Sequence, residues 1–353
     1  MNKIVFFIGS LGGGGAERVT IQLADYFCNK GCKVYFLAFS KENSNYIVNK
    51  NVMVTYLPVS ENKIVDVIEK IKFIKKYLLG ISPDYVVSLG LGHQYIFLSN
   101  TIGKYKYILS ERNSPIDFYK HWYEKFFNKY CYERAYKVVF QTTNAQQYYN
   151  KKIQEKSKII FNPINPNILE GYDGLREKRI VFVGRLSPQK NVYLLLDAFR
   201  KFHKKYGEYV LDIYGQGELE KELIAYCEEC KISGWVRFNG LVSDIYEKMV
   251  KATMYISSSD YEGMSNSMLE ALAMGIPSIC TDCPIGGARM VIQNNENGIL
   301  VPIKNTEKMT EAMLKIVEDE QFAKKLSKNS RKLREYLNVQ YIGKQWEGLM
   351  KKQ

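Results

Sequence analysis

Short apolar runs, each closed by a small or turn-forming residue, recur along this chain in two successive series. Helical patterns fall between the runs, and this alternation restricts the fold more than any other feature. Residues 3–8 run without interruption into Gly9, as expected of a central parallel strand covered on both faces. The loop at residues 9–15 then opens a helix with Ala16, Val19, Leu23 and Phe27 on one side. Further strands are expected at residues 33–38, 52–57, 85–89, 107–110, 138–141 and 158–161, with a helix over 64–79. Asn162-Pro163-Ile164-Asn165-Pro166, then Gly171 and Gly174, is rich in residues that punctuate elements. Beyond this linker, strands are expected at 180–183, 209–214, 236–238, 254–257, 278–280 and 299–301, again with helices between them. The pattern predicts an α/β protein of two doubly wound, Rossmann-like domains facing across a cleft, with boundaries at 1–165 and 166–335. Ligands of such sheets bind outside the carboxyl ends of the strands, so chemistry is expected in the loops that follow strands.

At 353 residues, 46% hydrophobic and 25% charged, the chain has length for two cores and the composition of a globular protein. No apolar run approaches bilayer-spanning length. The apolar stretch after Met1-Asn2-Lys3 is too short for a signal peptide and lacks a small-residue cleavage site, which predicts a cytoplasmic protein. The net charge of +13 is uneven: residues 1–170 carry 23 Lys+Arg against 13 Asp+Glu, and residues 171–353 carry 27 against 24. A basic first half attracts anionic membranes or nucleic acid. Cys227-x-x-Cys230 and Cys280-x-x-Cys283 have the spacing of two zinc half-sites. The first, however, lies in a helical pattern and the second straddles a strand end, whereas zinc sites hold such pairs on tight turns. Structural thiols without disulfides are the expectation.

Chemistry concentrates in residues 260–275, DYEGMSNSMLEALAMG. Glu262 precedes a helix and Glu270 lies about one turn inside it. Gly263 permits close approach of a ligand to the backbone, and Ser265-Asn266 are good N-cap residues. The free N–H groups and positive dipole end of such a helix suit a phosphate, and two carboxylates suit hydroxyl groups. Together they point to a sugar nucleotide. Residues 184–191, GRLSPQKN, also lie between a strand and a helix, with Arg185 as a planar fork for phosphate oxygens and Lys190 as a point charge. The glycine loop at 12–15 has the setting of a phosphate cradle but neither Gly-x-Gly-x-x-Gly spacing nor the Lys-Ser/Thr of a Walker loop. A nicotinamide oxidoreductase is disfavoured for that reason.

The ordered set resembles the retaining family-4 glycosyltransferases of GT-B fold. Its members are Gly-Arg-Leu-x-x-x-Lys at 184–190, Glu262-Gly263, and the seven residues between the two glutamates. GGGGAERV at 12–19, SERNSP at 110–115 and DCPIGG at 282–287 are similar to members that build capsule, O-antigen and lipid-linked glycans. The resemblance implies that Arg185 and Lys190 hold the donor diphosphate and stabilise the leaving charge. Glu270 would bind the ribose, and Glu262 with the Gly263, Met264, Ser265 and Asn266 backbone would engage the donor sugar. It further implies that Gly14 and Gly15 close over the phosphates, that Asn239 and Gly240 meet the base, and that Gly215 lines the same side. The last helix, within residues 336–353, would return to the first domain.

A glycosidase reading of the two acids is disfavoured by the anion-binding groups around them. No Asp-x-Asp motif is present, so no metal site and no permanently bound cofactor are expected. In the first domain His93 follows a strand, and Glu111, Arg112 and Asn113 follow another. They are the acceptor-side candidates, with His93 open to a structural role as well. Residues 118–136 mix Phe118, Tyr119, Trp122, Tyr123, Phe126, Phe127 and Tyr130 with Lys120, Lys125, Lys129 and Arg134. They make either a core-packed helix with a basic face or an interfacial helix on anionic lipid. The expectation is a peripheral enzyme at the inner face of the membrane. It would move a sugar from a UDP-type donor to a polyprenyl-diphosphate-linked glycan, with no nucleic-acid partner. The rival readings are another GT-B enzyme such as a UDP-sugar epimerase, and a basic membrane- or nucleic-acid-binding module.

Overall fold

A computed structural model describes residues 2–12, 14–41 and 47–351, so Gly13 of the glycine loop lies outside the described residues. The chain divides into two compact units, Met1–Pro163 together with Asn338–Gln353, and Ile164–Leu337.

In the first unit, strands β1 (Lys3–Ile8), β2 (Lys33–Ala38), β3 (Val52–Tyr56), β4 (Tyr85–Leu89), β5 (Lys106–Ser110), β6 (Lys137–Phe140) and β7 (Ser157–Ile159) form one sheet in the order β3-β2-β1-β4-β5-β6-β7. Every neighbouring pair is parallel. Residues 4–8 are at most 1% exposed, as a strand covered on both faces requires. Val19, Leu23 and Phe27 of the helix Gly15–Asn29 join Phe6 and Phe36 in the core. So do Ile342, Trp346 and Leu349 of the helix Val339–Met350. The two helices approach closely: a Cβ at Gly343 would fall 2.5 Å from the Tyr26 ring, and the Tyr26 hydroxyl donates to Glu347 at 2.9 Å.

In the second unit, β8 (Glu177–Val183), β9 (Val210–Tyr214), β10 (Val236–Phe238), β11 (Ala252–Ser257), β12 (Ser278–Thr281) and β13 (Ile299–Val301) give the order β10-β9-β8-β11-β12-β13, also parallel throughout. Phe182, Leu195, Phe199, Phe202, Ile213, Met254 and Met313 are central to its core. In both sheets the strand order reverses beside the first strand, between β1 and β4 and between β8 and β11. That reversal opens a crevice at the carboxyl edge.

Some elements differ from the sequence reading. β8 begins at Glu177, three residues before its apolar run, because Arg179 pairs there with Glu177 (2.6 Å) and Asp212 (3.1 Å) while the ladder continues. The aromatic segment is helical only over Trp122–Arg134, where Glu124 accepts from the His121 amide at 3.0 Å and fixes the start. A short helix, His93–Leu98, follows Gly92, whose φ of +72° turns the chain out of β4.

Candidate functional site

Three loops at the carboxyl edge of the second sheet are stitched together through their backbones. After β8, Gly184 N donates to Tyr214 O and Leu186 N donates to Gln216 O, each at 3.0 Å. The loop after β10 joins at Gly240 O, which accepts from Gly215 N at 2.8 Å. Gly215 has φ of +131°, and a Cβ there would lie 1.9 Å from Gly184 O, so the close loop contact itself demands glycine. Asn239 is held alongside, its amide donating to Ile213 O at 2.9 Å.

Across the switch point, the loop after β11 is tied to the same β8 loop. Ser258 Oγ donates to Lys190 O at 2.9 Å, and Asp260 N donates to Gln189 O at 2.9 Å. Asn191 Nδ2 reaches Asp260 Oδ1 at 2.8 Å, and Gln189 Nε2 reaches Tyr261 O at 3.0 Å. These contacts set Lys190 Nζ directly on Glu262 Oε2, which also accepts from Ser259 Oγ at 3.3 Å. Arg185, in the same loop, is exposed and pairs with no carboxylate among the described residues. One cation is thus neutralised in place while its neighbour keeps its charge available.

The helix Asn266–Ala273 starts at this point. Ser265 caps it, accepting from Met268 N at 3.4 Å, and Ser267 Oγ donates to Val183 O at 2.8 Å, fastening the helix start to the end of β8. Gly263, Met264 and Ser265 are buried, Asn266 is half-buried, and Glu270 is 4% exposed in the first turns of the helix. Gly287 lies on the backbone of Gly263, where a Cβ would fall 1.5 Å from Gly263 O. The structure therefore brings together Arg185, Lys190, Glu262, Gly263 and the N-terminus of the Glu270 helix, with Gly215, Asn239 and Gly240 on the adjoining loops. An anion over the helix start would meet amide donors and two basic side chains. Gln189, Asn191, Asp260 and Ser267 lie within the stretches singled out by sequence but carry no role there, and Ser258 and Ser259 lie outside them. Their roles depend on which loops the sheet order makes neighbours.

The first-unit candidates fall in two places. Gly14 and Gly15 begin the first helix, and the carboxylate of Glu17 stands against the loop: a Cβ at Gly14 would lie 2.1 Å from Glu17 Oε2, and one at Gly9 would lie 2.6 Å from Oε1. Glu17 was not singled out from the sequence, although an acid at the third helical residue is a helix-start signal. Glu111 is 1% exposed and accepts from the hydroxyls of Tyr119 (2.9 Å), Tyr149 (3.0 Å) and Tyr132 (3.3 Å). It also accepts from the amides of Arg112 (3.0 Å) and Asn113 (3.2 Å). Burial raises its pKa against the opposing pull of these hydrogen bonds. His93 is 3% exposed, with its ring edge-on to Tyr132 at 5.0 Å. Burial lowers its pKa to about 4, against the raising effect of its hydrogen bond to Asn128, so the imidazole is neutral at pH 7. Tyr132 therefore links His93 to the Glu111 cluster.

This pairing of two parallel, doubly wound sheets is the GT-B architecture. Residues 174–333, within the second unit, match the family described as Glycosyl transferases group 1. The chain is 28% identical to a Campylobacter jejuni N-acetylgalactosamine-N,N'-diacetylbacillosaminyl-diphospho-undecaprenol 4-alpha-N-acetylgalactosaminyltransferase, over 95% of each chain. Among solved structures it is similar to a sucrose-phosphate synthase from Thermosynechococcus elongatus (TM-score 0.84, 16% identity, 99% of this chain and 98% of the other). It is equally similar to Anabaena HepE in complex with UDP-glucose (TM-score 0.84, 16% identity, 99% of each).

Proposed function

We propose that this glycosyltransferase moves a sugar from a nucleoside-diphosphate donor, UDP-linked, to a hydroxyl of a lipid-linked or surface-polysaccharide glycan, with retention of anomeric configuration. The observation that carries the reading is the meeting of Arg185, the Lys190–Glu262 pair and the start of the Glu270 helix at the β8/β11 switch point. In this reading the helix amides, Arg185 and Lys190 bind the diphosphate and stabilise the charge that grows on it as the glycosidic bond breaks, which removes the need for a metal ion. The incoming phosphates compete with Glu262 for Lys190, which frees the carboxylate to position the donor sugar. Glu270 takes the ribose hydroxyls. Front-face attack by the acceptor hydroxyl then gives retention without an enzyme nucleophile.

The acceptor class is supported by the C. jejuni relative, whose name specifies a diphospho-undecaprenol acceptor. No helix among the described residues is long and apolar enough to cross a membrane. We therefore place the enzyme at the cytoplasmic membrane face by surface contact. Isothermal titration with UDP tests the donor half: Arg185→Ala and Glu270→Ala are each expected to weaken binding by about tenfold or more. Undiminished affinity in both would sink the assignment.

A further inference from the structure

Arg112 occupies a position where four loops meet. Gly90, Arg112, Gln141 and Asn162 follow β4, β5, β6 and β7, four adjacent strands, so they share the carboxyl edge of the first sheet. A Cβ at Gly90 would touch the Arg112 side chain at 3.5 Å, and one Arg112 terminal nitrogen, Nη1, donates to Asn162 Oδ1, which also accepts from Gln141 Nε2 at 2.7 Å. The guanidinium lies over the Trp346 ring at 5.8 Å.

Arg112 forms no ion pair with an acid among the described residues. Its sequence neighbour Glu111 spends its oxygens on three tyrosine hydroxyls and two backbone amides. Arg112 Nε and Nη2 are buried without a hydrogen-bond partner among the described residues, and so are Ser110 Oγ and Trp346 Nε1 nearby in the same unit. A buried guanidinium with two orphaned donors is costly unless an acceptor completes it. Burial pulls its pKa down to about 9, against the opposing influence of Tyr132 and Glu111. Nε and Nη2 form one edge of the guanidinium fork, the edge that grips phosphate or carboxylate with two parallel hydrogen bonds.

We infer that Arg112 is the anion-binding residue of the acceptor side, its Nε–Nη2 edge taking a phosphate oxygen pair of a diphosphate-bearing acceptor. The Glu111–tyrosine cluster keeps the nearest carboxylate from occupying that edge. The identity of the ligand rests on the transfer reading above; the anion site itself does not.

The test uses the full chain carrying Arg185→Ala, which weakens competition from the donor site, titrated with inorganic pyrophosphate while tryptophan emission is followed. Trp346 is fully buried beneath Arg112, whereas Trp122 and Trp235 are exposed, so the blue part of the emission reports on this site. A saturable change is expected, weakened about tenfold by Arg112→Lys, which keeps the charge and loses the fork, and abolished by Arg112→Gln. In the Arg185-intact protein, Arg112→Lys should raise KM about tenfold for a diphosphate-linked glycan and leave KM for the same glycan without diphosphate nearly unchanged. Titrations that Arg112→Lys leaves alone, or equal losses on both acceptors, overturn the inference, and they do so even if Arg112→Gln fails to fold. An Arg185→Ala protein whose pyrophosphate response depends on Arg112, with an Arg185-intact protein that transfers to neither acceptor, overturns the transfer reading and leaves the anion site standing.

Discussion

Gly287 shows how little room the donor loops leave. A methyl group there would overlap the carbonyl of Gly263, a backbone atom that cannot rotate away as a side chain end can. At Gly31 and Gly234, by contrast, nothing lies within 4 Å. Gly287→Ala should therefore destabilise the chain by about 1–3 kcal/mol in urea unfolding and weaken UDP binding, because relief must come from moving Gly263 and with it Glu262. Gly234→Ala is the control, expected to leave UDP affinity unaltered. At this scale the sequence was informative wherever a residue's chemistry is self-evident: Arg185, Lys190, Glu262 and Glu270 are charged groups in loops and helix starts. It set Gly287 within the motif at 282–287 but gave no physical reason for it, because the need for glycine arises from a backbone 24 positions away.

Among the elements, the helix Val339–Met350 brings the largest fully buried side chain, Trp346, to the first core. Trp346 is fully buried among Phe6, Phe36 and their neighbours, so Trp346→Ala should cost about 3–5 kcal/mol in denaturant unfolding. A loss under 1 kcal/mol would mean that this helix is not part of the unit's cooperative core. The amphipathic spacing of this helix was legible, as were nearly all the strands, because a strand buried on both faces must be apolar throughout. The charged opening of β8 was hidden, since Glu177 and Arg179 satisfy the ladder with polar side chains. The helix His93–Leu98 escaped for a different reason: six residues are too few to display a helical period. Its existence bears on function, because it buries the histidine that the sequence alone left open to either role.

For the molecule as a whole, the basic first unit exposes an unusual set of large apolar side chains. Trp122 is 78% exposed, Ile64 72% and Leu79 73%, with Ile116, Phe118 and Phe126 also at the surface. They belong to, or adjoin, helices Lys63–Ile81 and Trp122–Arg134, both of which pack on the short helix His93–Leu98 between them. Co-sedimentation with anionic vesicles should capture the protein, less so at high salt, and Trp122→Ala combined with Ile64→Ala should reduce capture several-fold. Capture that ignores both lipid charge and these substitutions would remove membrane contact from the proposed function. The division of the chain carries one more consequence. The second unit is continuous in sequence, but the first is assembled from residues 1–163 and 338–353. During synthesis the early sheet must wait for Ile342, Trp346 and Leu349, with the apolar surface they cover open in the meantime. The intervening 174 residues can fold in that interval, so the unit made first is the one finished last.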